Sequence, residues 1–237
     1  KEYRRQRQMC IRDRFVVGLY IFAGGAAVIF LTGAILRRAQ LLKPAESGFL
    51  LNAATFILFF LPGLSFGQRE HFAVICILPL LAVHCARASG ASCRSPHAIL
   101  AGLLAGIAVC IKPHFCLAIV FPLAFVMLRR RSLRPLFEVE NWAASAACIS
   151  YALLLVFKFR EYFDVLPMFL DIYVPIKEDA LELLTLPWSA TTIMFGCILG
   201  LVSRKEGLRD MATVPYCAAA GFLLAYLIQG KGFPNHG

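Results

Sequence analysis

Along the chain, apolar residues fall in runs of roughly 15 to 22, separated by short breaks that carry Lys, Arg, Pro or Gly. A run of that length with few charges is what an α-helix needs to cross about 30 Å of hydrocarbon. The runs are Phe15 to Leu36, Gly48 to Leu64, His71 to Ala86, Pro96 to Ile111, Phe115 to Leu128, Asn141 to Phe157, Trp188 to Val202 and Ala212 to Ile228. Lipid offers backbone groups no hydrogen-bond partner, so each run must satisfy its own N–H and C=O groups within a helix. The pattern predicts an all-α fold, a polytopic transmembrane helix bundle with about eight membrane helices.

Composition agrees, because 59% of the 237 residues are hydrophobic and the mean hydropathy is +0.72. A soluble globule would lack the polar residues to cover such an interior. Residues 1–14 stand outside the pattern. Gln8 to Arg14 resembles the in-frame translation of a sequencing-library transposon end. Residues 1–14 are therefore expected to be a non-native leader, and residues 15–237 to be the transmembrane helical domain, a piece of a larger module truncated at both ends.

Basic residues set the orientation, since Lys and Arg are retained on the cytoplasmic side. One set of alternate loops holds twelve: Arg37, Arg38, Lys43, Arg87, Arg94, Arg129, Arg130, Arg131, Arg134, Arg204, Lys205 and Arg209. The other holds six: Arg69, Lys112, Lys158, Arg160, Lys177 and Lys231. The first set is read as cytoplasmic, and the first helix as running from outside to inside. The net charge of +10 follows from this bias and from the basic leader. It is no sign of nucleic acid, because the basic loops are short and no basic stripe is interleaved with aromatics.

Other chemistries find no motif. The nine cysteines are scattered without metal-type pairing, and no zinc motif, phosphate loop or nucleophile elbow occurs. No metal site is predicted, and the sequence leaves a divalent metal requirement open. Gly102 to Gly106, Gly196 to Gly200, Ala143 to Ala147 and Ala218 to Gly221 place small residues at the spacing that lets membrane helices pack closely.

Candidate chemistry lies in three short hinges on the outer side: Gly67 to His71, Lys112 to His114, and Gln229 to His236. Each contains a cation and a histidine. The helices flanking Lys112 are only about 16 and 14 residues long, so they span about 24 and 21 Å. Held near the membrane normal, they place Lys112 below the outer surface, where an unpaired cation costs about 2.5 to 3.5 kcal/mol. Pro113 breaks the helix there and frees carbonyls to face a cavity. Lys112 is thus expected to have a partner, and the hinges to share a polar pocket. Snorkelling to headgroups is the competing account of each cation.

Gly67-Gln68 at the entrance of one helix, followed by a small-residue helix ending in Lys112-Pro113, resembles the multi-spanning GT-C glycosyltransferases that use polyprenyl-phosphate sugars, including bacterial mannosyl- and arabinofuranosyltransferases. Gln229 to Phe233 is similar to an outer hinge of bacterial members. The resemblance implies transfer of a sugar from a polyprenyl-phosphate donor to a glycan or lipid acceptor, at the periplasmic face of a bacterial inner membrane. It implies that Arg69, Lys112 and Lys231 hold the phosphate, that His71, His114 and His236 bind phosphate or orient the sugar, and that Gln68 and Gln229 bind substrate. Many relatives carry Asn where this chain has Glu70, so that hinge departs from the pattern. The resemblance places the catalytic carboxylate in an outer loop upstream of Phe15. Within the chain, Asp164, Asp171 and Glu70 are the weaker candidates.

The outer segment from Lys158 to Leu186 alternates aromatic and acidic residues, the composition of amphipathic structure lying along the headgroups. Two other classes stay open. An O-antigen ligase or polymerase-like enzyme shares the lipid-linked sugar chemistry but concentrates Arg and His in one large outer loop. A secondary transporter of lipid-linked or small polar substrates shows internally repeated halves, which this chain lacks.

Overall fold

The computed structural model describes residues 2–62, 66–173, 175, 178–202 and 206–230. They form α1 (Glu2–Arg38), α2 (Pro44–Phe59), α3 (Arg69–Ser89), α4 (Ser95–Ile111), α5 (Leu117–Arg130), α6 (Val139–Lys158), α7 (Glu161–Tyr173), α8 (Ala180–Thr185), α9 (Pro187–Val202) and α10 (Glu206–Gln229), with no strand among the described residues. Each predicted apolar run overlaps an α-helix among the described residues. Among the described residues, five stretches are both long and apolar enough to cross a membrane: Val16–Arg38, Arg69–Ser89, Pro113–Arg130, Val139–Lys158 and Met211–Gln229. Ala45–Phe59, Ser95–Ile111 and Ser189–Ile198 are shorter apolar helices.

Boundaries depart from expectation where local chemistry overrides hydropathy. α1 continues back to Glu2 rather than starting at Phe15. α2 begins at Pro44, whose fixed φ suits a first helical turn, with the Lys43 N–H donating to Glu46 Oε2 at 2.8 Å. It ends at Phe59 instead of Leu64, two residues before Leu61-Pro62. The segment between α6 and α9 contains α7 and α8.

The core is organised around α3, which packs against α1, α4, α5 and α10. Two thirds (67%) of its most apolar window is buried, against 11% for α6. α4 lies between α3 and α6, and α5 between α3 and α10. The surface is the reverse of a soluble protein's: Tyr20 is 75% exposed, Phe49 77% and Phe157 77%. Aromatic rings left so bare on helix faces suit hydrocarbon rather than water.

Small residues make the closest helix contacts, as their spacing predicted. A Cβ at Gly102 would stand 2.0 Å from the Glu140 carbonyl oxygen, and one at Gly106 would stand 2.7 Å from the Ala144 oxygen, so α4 and α6 meet backbone to backbone. Gly221 of α10 approaches the Leu117 oxygen of α5 in the same way, at 2.4 Å.

Candidate functional site

Pro113 determines the geometry at the second hinge. It lacks an N–H and pushes Lys112 out of the helical region, to φ −146° and ψ 114°, so α4 stops at Ile111. A 3-10 turn over Pro113–Cys116 then leads into α5. This puts Lys112 at the C-terminus of α4, beside the N-terminus of α3 that carries Arg69 and Glu70.

The Lys112 ammonium forms an ion pair with Glu70. Its side chain is 12% exposed and that of Glu70 52%. Each charge also complements its helix end, the carboxylate at the positive N-terminus of α3 and the ammonium at the negative C-terminus of α4. The Lys112 Nζ stands 5.8 Å from the Phe115 ring centroid, which adds a cation–π contact. The partner that Lys112 requires is therefore supplied by the first hinge. Two of the three hinges meet.

Arg69 has a different setting. Together with Ile21, Gly67, Phe72, Ile107, Cys110, Ile111, Ala147 and Tyr151 it lines a cavity of about 640 Å³ between α1, α3, α4 and α6. The walls are mostly apolar, and Arg69 is the one charged residue among them. Gly67 enters the wall with φ +78°, a left-handed conformation that favours glycine, and a Cβ there would come within 3.2 Å of Ile21 Cδ1.

His71 is committed to the fold. The Gly67 N–H donates to its Nδ1 at 3.1 Å, so Nε2 carries the proton and donates to the Leu58 carbonyl at 2.7 Å. That carbonyl belongs to the last turn of α2 and would otherwise be orphaned. Both nitrogens of this buried ring are occupied, which removes His71 from the phosphate-binding set expected for it.

His114 retains a free valence. Its ring packs edge-on against Phe115 at 5.1 Å, and its buried Nε2 has no partner among the described residues. Phe115 in turn meets Phe222 of α10 at 5.4 Å. Near the end of α10 the buried Tyr226 hydroxyl also lacks a partner among the described residues, and the Gly230 carbonyl accepts from the Glu178 N–H at 2.8 Å. The second hinge and the end of α10 thus share one region.

The remaining expected residues are placed as follows. Gln68 is the N-cap residue of α3 without a side-chain capping bond, and Gln229 is the last residue of α10. Asp164 and Asp171 are exposed on α7, which contributes nothing to the cavity wall. Lys231 and His236 lie outside the described residues.

Three features escaped the sequence reading. Tyr151 and Cys110 line the cavity, and a helical projection of α4 and α6 would have needed to know that these helices are neighbours. Arg87, counted only as a topology marker, donates through Nε and Nη2 to Glu140 at 3.0 and 3.1 Å and pairs with Glu138 at 3.0 Å. Glu138-x-Glu140 at the start of α6 was the available signal. His84 is fully buried on α3 with neither ring nitrogen bonded among the described residues. No family model, curated protein or solved structure matches the chain.

Proposed function

We propose that the chain is the membrane domain of a glycosyltransferase that takes sugar from a polyprenyl-phosphate donor and passes it to a glycan or lipid acceptor outside a bacterial inner membrane. In this reading all eight apolar helices lie in the bilayer and the hinge end faces the periplasm. The observation that carries it is the cavity of about 640 Å³, apolar throughout except for Arg69 and the Tyr151 hydroxyl, and adjoining the Lys112–Glu70 pair. A lipid phosphate needs an apolar channel for its chain and fixed cations for its head.

Arg69 holds the phosphate by its planar fork, and Lys112 is the second cation, kept near the site by Glu70. As the glycosidic bond breaks, negative charge accumulates on the departing phosphate, and cations already in place stabilise it without reorganising. His114, with its unpartnered Nε2, donates to the phosphate or to a sugar hydroxyl.

The test is photocrosslinking of the purified chain in nanodiscs with a polyprenyl phosphate carrying a diazirine near its head. Adducts are expected on the walls formed by Ile21, Phe72, Ile107 and Tyr151, and Arg69→Ala should reduce them about tenfold, since a charge-assisted bond contributes about 1.5–3 kcal/mol. Adducts spread over the lipid-facing surface, or equal labelling of Arg69→Ala, would sink the proposal.

One observation favours a second reading, a proton-coupled transporter. His84 is an unbonded histidine in the bundle interior, within electrostatic reach of Glu140 and Arg87. Proton release on substrate addition to proteoliposomes, abolished by His84→Ala, would select it over the transferase.

A further inference from the structure

The opposite end of the bundle holds a second, polar pocket of about 380 Å³ that the donor-site reading does not use. Arg87, Gly90, Ser92, Arg130, Arg134 and Glu138 are among its lining residues. Three guanidinium groups therefore face one carboxylate. That carboxylate is already engaged, because Glu138 and the buried Glu140 both bind Arg87.

The other two cations are uncompensated among the described residues, since neither Arg130 nor Arg134 takes part in an ion pair there. Arg130 is also fixed in place. Its Nε donates to the Arg87 carbonyl at 2.7 Å, and its guanidinium lies over Gly90, where a Cβ would come within 3.1 Å of Nη2. Gly90 closes α3 in the left-handed region at φ +89°, so the residue that ends the helix also leaves the room the guanidinium occupies. A snorkelling arginine is mobile and faces headgroups or water; Arg130 is tethered by its backbone contact and offers its remaining N–H groups to the pocket.

Hydroxyl donors complete the lining. Ser132 Oγ, also on the wall, accepts from the Arg134 N–H at 3.1 Å, which leaves its own proton to donate. Ser92 is exposed beside Gly90. The Arg130 fork, held by the backbone before any ligand arrives, the exposed Arg134 fork on the same wall and the hydroxyl donors form an arrangement for a tetrahedral oxyanion.

We propose that this pocket binds a phosphate-bearing anion, distinct from any ligand of the Arg69 cavity. Two sources present the same chemistry, the headgroup of an anionic phospholipid in the adjoining leaflet and a free phosphoanion. The inference stands independently of the glycosyltransferase reading.

The experiment uses the full chain in neutral maltoside detergent. Inorganic phosphate is titrated calorimetrically, and phosphatidylglycerol is compared with phosphatidylcholine by retention in native mass spectrometry. Arg134→Gln is the informative variant, because its side chain is exposed and makes no ion pair, so the unfolding curve should not move. It should weaken the bound anion about tenfold, the loss of one charge-assisted contact. Arg160→Gln, an exposed arginine beyond the far end of α6 that lines neither pocket, should leave binding unchanged. Phosphate binding that falls in Arg134→Gln supports the pocket with a free anion as ligand. Selective retention of phosphatidylglycerol, lost in Arg134→Gln, supports it with a lipid headgroup. If wild type and Arg134→Gln bind both probes alike, or Arg160→Gln causes the same loss, the proposal is overturned.

Discussion

Replacing Gly102 by Ala adds one methyl group where α4 and α6 leave no room for it. The new Cβ would stand 2.0 Å from the Glu140 carbonyl oxygen, 2.8 Å from its carbon and 3.0 Å from the Ala143 Cβ. Non-bonded carbon and oxygen rest about 3.3 Å apart at closest, so α6 must retreat by more than about 1 Å. Both contacting groups are backbone, and no rotamer change relieves them. Overpacking of this kind costs about 1–3 kcal/mol, offset by about 1 kcal/mol of helix propensity gained when Gly becomes Ala. Because backbone must move, the cost falls at the upper end, and a net loss of about 2 kcal/mol is expected, a factor of about 30 in the folded-to-unfolded ratio. The assay is unfolding of the detergent-solubilised chain by a rising fraction of dodecyl sulfate, followed by far-UV circular dichroism. Gly24→Ala is the internal control, because nothing lies within 4 Å of its Cβ position on α1, and that substitution should be neutral or stabilising. If Gly102→Ala unfolds together with Gly24→Ala, the close backbone approach of α4 and α6 is refuted.

Three further outcomes are expected. Glu140→Ala should destabilise by the lower part of about 3–5 kcal/mol because it leaves a largely buried arginine with one partner fewer, whereas Glu138→Ala, at a side chain 28% exposed, should cost less than about 1 kcal/mol; equal shifts in the same unfolding assay would contradict the network. His71→Phe keeps the ring that packs on Phe66 at 5.1 Å but orphans the Leu58 carbonyl and the Gly67 N–H, for a loss of about 1–3 kcal/mol; an unchanged unfolding midpoint would show that the histidine is not a staple. Cys93, in the loop between α3 and α4, has its thiol pKa raised by burial, with Arg87 opposing and Glu140 adding to the rise. A raised pKa means less thiolate at neutral pH, so maleimide labelling of Cys93 should be slow at pH 7.5 and accelerate beyond pH 9; labelling as fast as free cysteine at pH 7.5 would contradict the buried setting.

The candidate site was half legible in the sequence. The short helices around Lys112 implied a cation below the membrane surface that needed a partner, and Glu70 provides one. The inference failed at His71, because the composition of a hinge does not reveal that a ring in the next helix turn reaches back to Gly67 and across to Leu58. Arg69 and Lys112 looked equivalent as hinge cations. In three dimensions Lys112 is paired with a carboxylate, while Arg69 lines an apolar cavity.

The sequence by itself determined the helices and their lipid setting, because hydropathy and the backbone's need for internal hydrogen bonds act locally along each run. It also identified the small-residue stripes, since glycine at helical spacing has the same meaning whichever helix it meets. Only the tertiary structure decided the partners. Arg87 with Glu140 and Lys112 with Glu70 join residues 53 and 42 positions apart, and no local pattern ranks one distant carboxylate above another. The cavity draws its wall from α1, α3, α4 and α6; which helices adjoin is settled by how ridges, glycines and prolines pack together, and that packing is a property of the whole bundle.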